Sequence, residues 1–166
     1  MRVDEGVFGR AKARRPRLER SYRRLLVALD ARRESLEALE IACRLAADDR
    51  ARITAMIVIE VPALLPLDAH FADEEEAARQ LLERAGSTGD GYGVRVDARL
   101  VRARDTAAAI VAQATSDRSE LIVLGAPRAE LARSPRRLAP DPVLRVLRDA
   151  PCRVMVVSAA GSRSAA

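Results

Sequence analysis

Residues 121–157 read LIVLGAPRAELARSPRRLAPDPVLRVLRDAPCRVMVV, and this stretch decides the fold. Leu121 to Gly125 is a short continuous apolar run, the pattern of a strand buried on both faces. A loop follows. Asp141-Pro142 then opens a helix, with Asp as cap and Pro at the first position. Val154 to Val157 is a second apolar strand. A strand, a crossover helix and a strand in this order form one unit of a parallel sheet.

The same alternation runs upstream. Arg24 to Asp30 (RLLVALD) and Ile53 to Val61 (ITAMIVIEV) are further buried strands. Between them, Leu36, Leu39, Ala42, Cys43 and Ala46 repeat at helical spacing over Ser35 to Ala47. Glu34 and Glu37 lie early in that helix and Arg44 late, as the helix dipole favours. Pro62 and Pro66 bracket a loop, and Asp73 to Glu76 opens a second helix expected to run to about Ala85. Gly86 to Gly93 is expected to be a turn. Val94 to Val101 alternates Val94, Val96, Ala98 and Leu100 with charged residues, a half-buried strand at or near a sheet edge. Asp105-Thr106 caps a third helix through Ala114. The order β-α-β-α-β-α-β-α-β predicts an α/β fold: a doubly wound five-stranded parallel sheet with helices on both faces. The pattern does not give the strand order.

At 166 residues and 49% hydrophobic content, the chain is one domain with a full core. The expected division is a flexible basic leader at 1–22, an α/β domain at 23–158 and a loose tail at 159–166. The formal net charge is +5, and Lys12 is the only lysine. Seven basic residues against three acids in residues 1–20 leave +4 on the leader. It has no apolar core segment, so it is not a secretory signal, and no run reaches the roughly 20 apolar residues of a membrane span. A cytoplasmic location is expected. Cys43 and Cys152 show no metal or redox spacing and are expected to be buried packing residues.

The ending Ala150-Pro151-Cys152-x-Val154-x-Val156-Val157, together with the acid closing the first strand at Asp30, resembles the universal stress protein family over roughly residues 23–158. The resemblance implies strand order 3-2-1-4-5, a homodimer pairing through strand Val154–Val157, and a nucleotide cleft between strands one and four. Mapped onto this chain, that cleft would use Asp30, Val58, Gly125 and the position of Arg128. An acid at Asp30 can accept hydrogen bonds from ribose hydroxyls; it can equally cap the following helix. Val58 reads mainly as packing. Gly125 lets the backbone turn sharply or approach a ligand.

Where the family pattern has a second glycine, this chain has Arg128. The family's Gly-Ser falls at Leu138-Ala139 counting from Gly125, and at Pro140-Asp141 counting back from Ala150. Prolines have no N–H to offer phosphate, and Asp141 adds a negative charge. The first-strand loop reads Asp30-Ala31-Arg32 in place of Asp-Gly-Ser. Firm ATP binding is therefore not expected, and no cofactor is firmly implied. Against this, Arg128, Arg133, Arg136 and Arg137 could hold a phosphate through forked hydrogen bonds, or simply form a solvated loop.

No catalytic residue emerges. His70, the only histidine, reads as a surface residue, and no nucleophile elbow, Walker loop or metal-spaced set is present. The expectation is a cytoplasmic regulatory or interaction protein with an unknown protein partner, not an enzyme. The alternatives are a nucleotide-binding module using Asp30, Gly125 and the loop arginines, a soluble regulatory domain of a transport system, and a weak nucleotide hydrolase. Nucleic-acid binding is not expected, because no basic reading helix or aromatic platform occurs.

Overall fold

The computed structural model describes residues 22–128 and 141–158. Residues 1–21 of the leader, the tail at 159–166 and residues 129–140, with Arg133, Arg136, Arg137 and Pro140, lie outside the described residues. The elements are β1 (Arg24–Ala28), α1 (Arg33–Asp49), β2 (Arg52–Glu60), α2 (Ala72–Gly91), β3 (Arg95–Ala103), α3 (Thr106–Ser116), β4 (Leu121–Gly125), α4 (Pro142–Asp149) and β5 (Arg153–Val157). All pairings are parallel, and the strand order is β3-β2-β1-β4-β5. The doubly wound sheet and its order are as expected.

The period of two along each strand divides the core into two layers. Leu25 and Val27 of β1, Ile53 and Ala55 of β2, and Leu121 and Val123 of β4 meet α1 and α2. Leu26, Met56, Ile122 and Leu124 point to the other face and meet α3 and α4 through Ala107, Ile110, Val143 and Val146. β4 is buried along its whole length and β1 over Leu25 to Val27, which is why they read as unbroken apolar runs. β3 and β5 form the two edges and are half-buried or exposed.

One expectation fails. Gly86 to Gly93 is not a turn: α2 continues through Gly91. Ser87 and Thr88 turn their hydroxyls back onto the carbonyls of Glu83 and Arg84, at 3.2 and 2.9 Å, an arrangement a helix accommodates but does not gain from. Packing holds this Gly- and Ser-rich segment helical. Gly89 is buried where α2 presses on β3; a Cβ there would fall on Val96 Cγ2 and the Val94 carbonyl oxygen. The glycine that ends the helix is Gly93, at φ +67°. Tertiary contact has overridden weak helix propensity.

The end of α1 also differs. The helix runs past Ala47 to Asp49 and has no basic residue in its last turn, so Arg44 does not serve the dipole. Asp49 instead accepts the Tyr22 N–H at 3.1 Å, and Tyr22, assigned to the leader, packs on the core. Cys43 is fully buried, and burial followed by the nearby Glu40 pushes its thiol up to about 11. Cys152 is only half-buried.

Candidate functional site

Parallel strands all end on one side, and the crossover direction reverses between β1 and β4, so the sheet opens a crevice there. A cavity of about 260 Å³ occupies that crevice. Met56 and Val58 of β2, Leu124 of β4, Ile110 of α3, and Val143 and Val146 of α4 give it apolar walls. Its polar lining comes from Asp30, Arg32, Ser35 and Thr106.

Asp30 lies two residues beyond β1, ahead of the first turn of α1, and its carboxylate is engaged on both oxygens. Oδ1 accepts the Arg32 N–H at 2.9 Å and the Ser35 hydroxyl at 2.6 Å. Oδ2 accepts Arg32 Nε and Nη2, each at 2.6 Å. Burial pushes the Asp30 carboxyl up, but the Arg32 side chain, Ser35 and the Arg32 N–H outweigh it and leave it below its ordinary value of 3.8. A carboxylate offers about four acceptor positions, and four donors fill them here. Both readings of Asp30 thus meet at one group: it lines the cleft, and it is consumed by its own loop. The bond from Asp30 to the N–H two residues on is an Asx turn, which the Asp-x-Arg sequence permits. The return of the Arg32 guanidinium onto it had no sequence signal.

Gly125 ends β4 and lines the cavity. Its missing Cβ serves a close approach, but to the protein itself: a Cβ would overlap the backbone of Glu34 and Ser35 in α1. Val58 is half-buried, packs on the α3–α4 layer and lines the cavity. Arg128 is exposed and does not line the cavity, so the four sequence candidates are not all brought together.

The N-terminus of α4 borders the same cavity. Asp141 caps it, accepting the Val143 N–H at 2.8 Å, and Pro142 occupies the first position without an N–H. The carboxylate therefore sits on the helix end that would otherwise attract an anion. Asp105 caps α3 by accepting the Ala108 N–H at 2.8 Å and also pairs with Arg145 of α4. The Ala108 N–H first and Arg145 second hold its carboxyl below the ordinary range. Thr106 donates its hydroxyl to Glu60, the last residue of β2, at 2.9 Å.

Sequence reasoning passed over Ser35, Met56, Thr106, Ile110 and Val146 as site residues, since each reads as an ordinary helix or strand residue. It also read Asp73 to Glu76 only as a charge cluster opening the second helix. Glu75 is in fact 5% exposed, with Arg102, Arg79 and the Phe71 N–H on its carboxylate. Arg102 first, then the Phe71 N–H, lower its carboxyl below 4.5. His70 is exposed and lies 3.6 Å from Glu75, away from the cavity. Among the described residues, no three His, Cys, Asp or Glu side chains gather as a metal site would need, and no helix is long and apolar enough to cross a membrane.

Comparison with known proteins matches residues 21–158 to the Universal stress protein family. The chain is similar to a protein from that family in Burkholderia pseudomallei, at 27% identity and TM-score 0.65, covering 84% of this chain and 98% of that one. It shares the fold of the universal stress protein from Archaeoglobus fulgidus in complex with dAMP: 16% identity, TM-score 0.66, and 83% and 99% coverage. It also shares the fold of a family protein from Arabidopsis thaliana with AMP bound: 17% identity, TM-score 0.61, and 85% and 94% coverage. No curated protein matches the chain.

Proposed function

Since the chain belongs to the universal stress protein family, we propose that it is a cytoplasmic regulatory or interaction protein that does not hold ATP firmly. One observation carries this reading: the protein's own residues occupy both polar ends of the cleft. Arg32 and Ser35 take the acceptors of Asp30, and Asp141 with Pro142 takes the donors at the start of α4. A charge-assisted hydrogen bond contributes about 1.5–3 kcal/mol. Losing two of them lowers affinity by roughly two to four orders of magnitude. In this reading the protein acts through a protein partner and catalyses no reaction, and two copies pair along the β5 edge. Titration calorimetry with millimolar Mg-ATP tests it. Heats too weak to fit below a dissociation constant of about 0.1 mM are expected; a low-micromolar constant refutes it.

A second reading is a nucleotide-binding module. The retained cavity supports it, as do the dAMP and AMP bound by the relatives from Archaeoglobus fulgidus and Arabidopsis thaliana. It requires Arg32 to swing off Asp30 and an arginine of the following loop to replace the lost backbone donors. The same titration separates the two. A role as the soluble regulatory part of a transport system is compatible with the first reading and would give that partner a membrane setting.

A further inference from the structure

The end of the sheet away from the cleft is lined with arginine. Four of the five strands begin with that residue: Arg24, Arg52, Arg95 and Arg153. Parallel pairing puts Arg24, Arg52 and Arg95 at one level, as register partners, with neighbouring strands about 4.8 Å apart. The crossover helices return to the same rim, and Arg50 and Arg118 follow the ends of α1 and α3 there. All five of these residues and Arg153 are exposed.

Arg24 pairs with Glu120 and Arg95 with Asp97. The side chains of Arg23, Arg50, Arg52, Arg118 and Arg153 make no hydrogen bond or ion pair among the described residues. The acids of this rim are shorter and largely engaged. Asp49 accepts the Tyr22 N–H, Asp117 the Thr54 hydroxyl, and Asp149 pairs with Arg148. Asp48 and Asp90 stand exposed, but the longer arginine stem carries its charge beyond them. Residues 1–20, with net charge +4, join the domain at the same rim, just ahead of Tyr22 and β1.

Two of the arginines hold a costly backbone. Arg50 and Arg118 both have φ +52°. Helices ordinarily end on glycine in that left-handed position, as α2 does on Gly93 at φ +67°. Arginine carries strain there that glycine avoids, and no side-chain bond among the described residues offsets it. A level row of guanidinium groups matches a plane of negative charge. Tyr22 and Tyr92, the aromatic residues at this end, are half-buried against the core and present no stacking platform for bases.

We infer that this rim docks the protein on an anionic lipid surface, its arginines facing the headgroup phosphates and carboxylates. The inference is independent of what the cleft holds, since the cleft lies at the other ends of the strands.

The test is sedimentation of the full chain with vesicles of phosphatidylcholine containing about 30% phosphatidylserine, against phosphatidylcholine alone, at about 0.1 M and about 0.5 M salt. Binding to the anionic vesicles at the lower salt, none to the neutral ones, and release at the higher salt are expected. A basic residue near such a surface contributes about fivefold in affinity. Arg50→Gly combined with Arg118→Gly should therefore weaken binding roughly 25-fold while keeping or raising the melting temperature, because backbone strain is relieved. Arg52→Gln, at a position without strain, should weaken it about fivefold. Arg84→Gln combined with Arg99→Gln removes the same charge from α2 and the middle of β3 and should leave binding unchanged. The inference is overturned if anionic vesicles are not bound, if neutral vesicles are bound equally, or if the two double variants weaken binding alike. It is also overturned if an RNA homopolymer binds at about 0.1 M salt and vesicles do not, which would make the rim a nucleic-acid surface. A glycine pair that melts lower and binds unchanged overturns it too, since the arginines would then serve only the helix ends. The strength of ATP binding decides the function proposed above and leaves this inference untouched.

Discussion

Two glycines three residues apart in α2 should respond to the same substitution with opposite sign. Gly86 has nothing within 4 Å of where a Cβ would stand. Gly86→Ala therefore gains only helix propensity and reduced unfolded-state freedom, about 0.5–1 kcal/mol. At about 2–4 °C per kcal/mol for a domain of this size, the melting temperature should rise by roughly 1–4 °C. At Gly89 the added methyl meets Val96 Cγ2 and the Val94 carbonyl oxygen, and the second is backbone that cannot rotate away. Overpacking of this kind costs about 1–3 kcal/mol. Even after the helix gain, Gly89→Ala should lose up to about 2.5 kcal/mol and melt up to about 10 °C lower. Thermal unfolding followed by circular dichroism at 222 nm reads both variants. If both melting temperatures rise together, α2 does not press on β3 at Gly89. If neither moves, the segment is a turn, as its composition suggests, and the helix assignment through Gly91 is wrong.

Other consequences follow from the same geometry. Gly125→Ala should lower the melting temperature by several degrees, because the methyl would overlap the Glu34 and Ser35 backbone of α1; an unchanged value would mean that α1 does not pack there. Asp30, Glu75 and Asp105 all have lowered carboxyl pKa values in the folded state. Their contribution is fully present above the ordinary values of 3.8 and 4.5 and is lost as pH falls through the lower folded values. The urea midpoint should accordingly be flat above about pH 5 and drop below about pH 4, and a midpoint independent of pH down to 3 would contradict these ion pairs. β5 is an edge strand with Arg153 as its only charged residue, so sedimentation at tens of micromolar should show a dimer pairing along Val154–Val157. A single species of monomer mass refutes it, and Val156→Pro should give that species in a domain that circular dichroism shows intact.

The sequence by itself determined the alternation of strands and helices, because β1, β2 and β4 are buried on both faces and so leave unbroken apolar runs. It also marked the caps of α3 and α4, where Asp105 and Asp141 act over two or three residues. Both signals are local, and local physics suffices to read them. Strand order came from the family ending at Ala150 to Val157, since a parallel pairing leaves no mark on either strand alone. The site was legible only where it coincides with the end of a strand: Asp30 and Gly125 were identified, but their neighbours were not. That Gly125 makes room for α1 instead of a ligand depends on where residues 34 and 35 pass, about ninety positions upstream. That Glu75 is buried depends on Arg102, 27 positions away. That a Gly-Ser-rich stretch is helical depends on the side chain of Val96 meeting Gly89. Each of these is a contact between segments whose spacing in sequence carries no period, so only the packed tertiary structure could decide it.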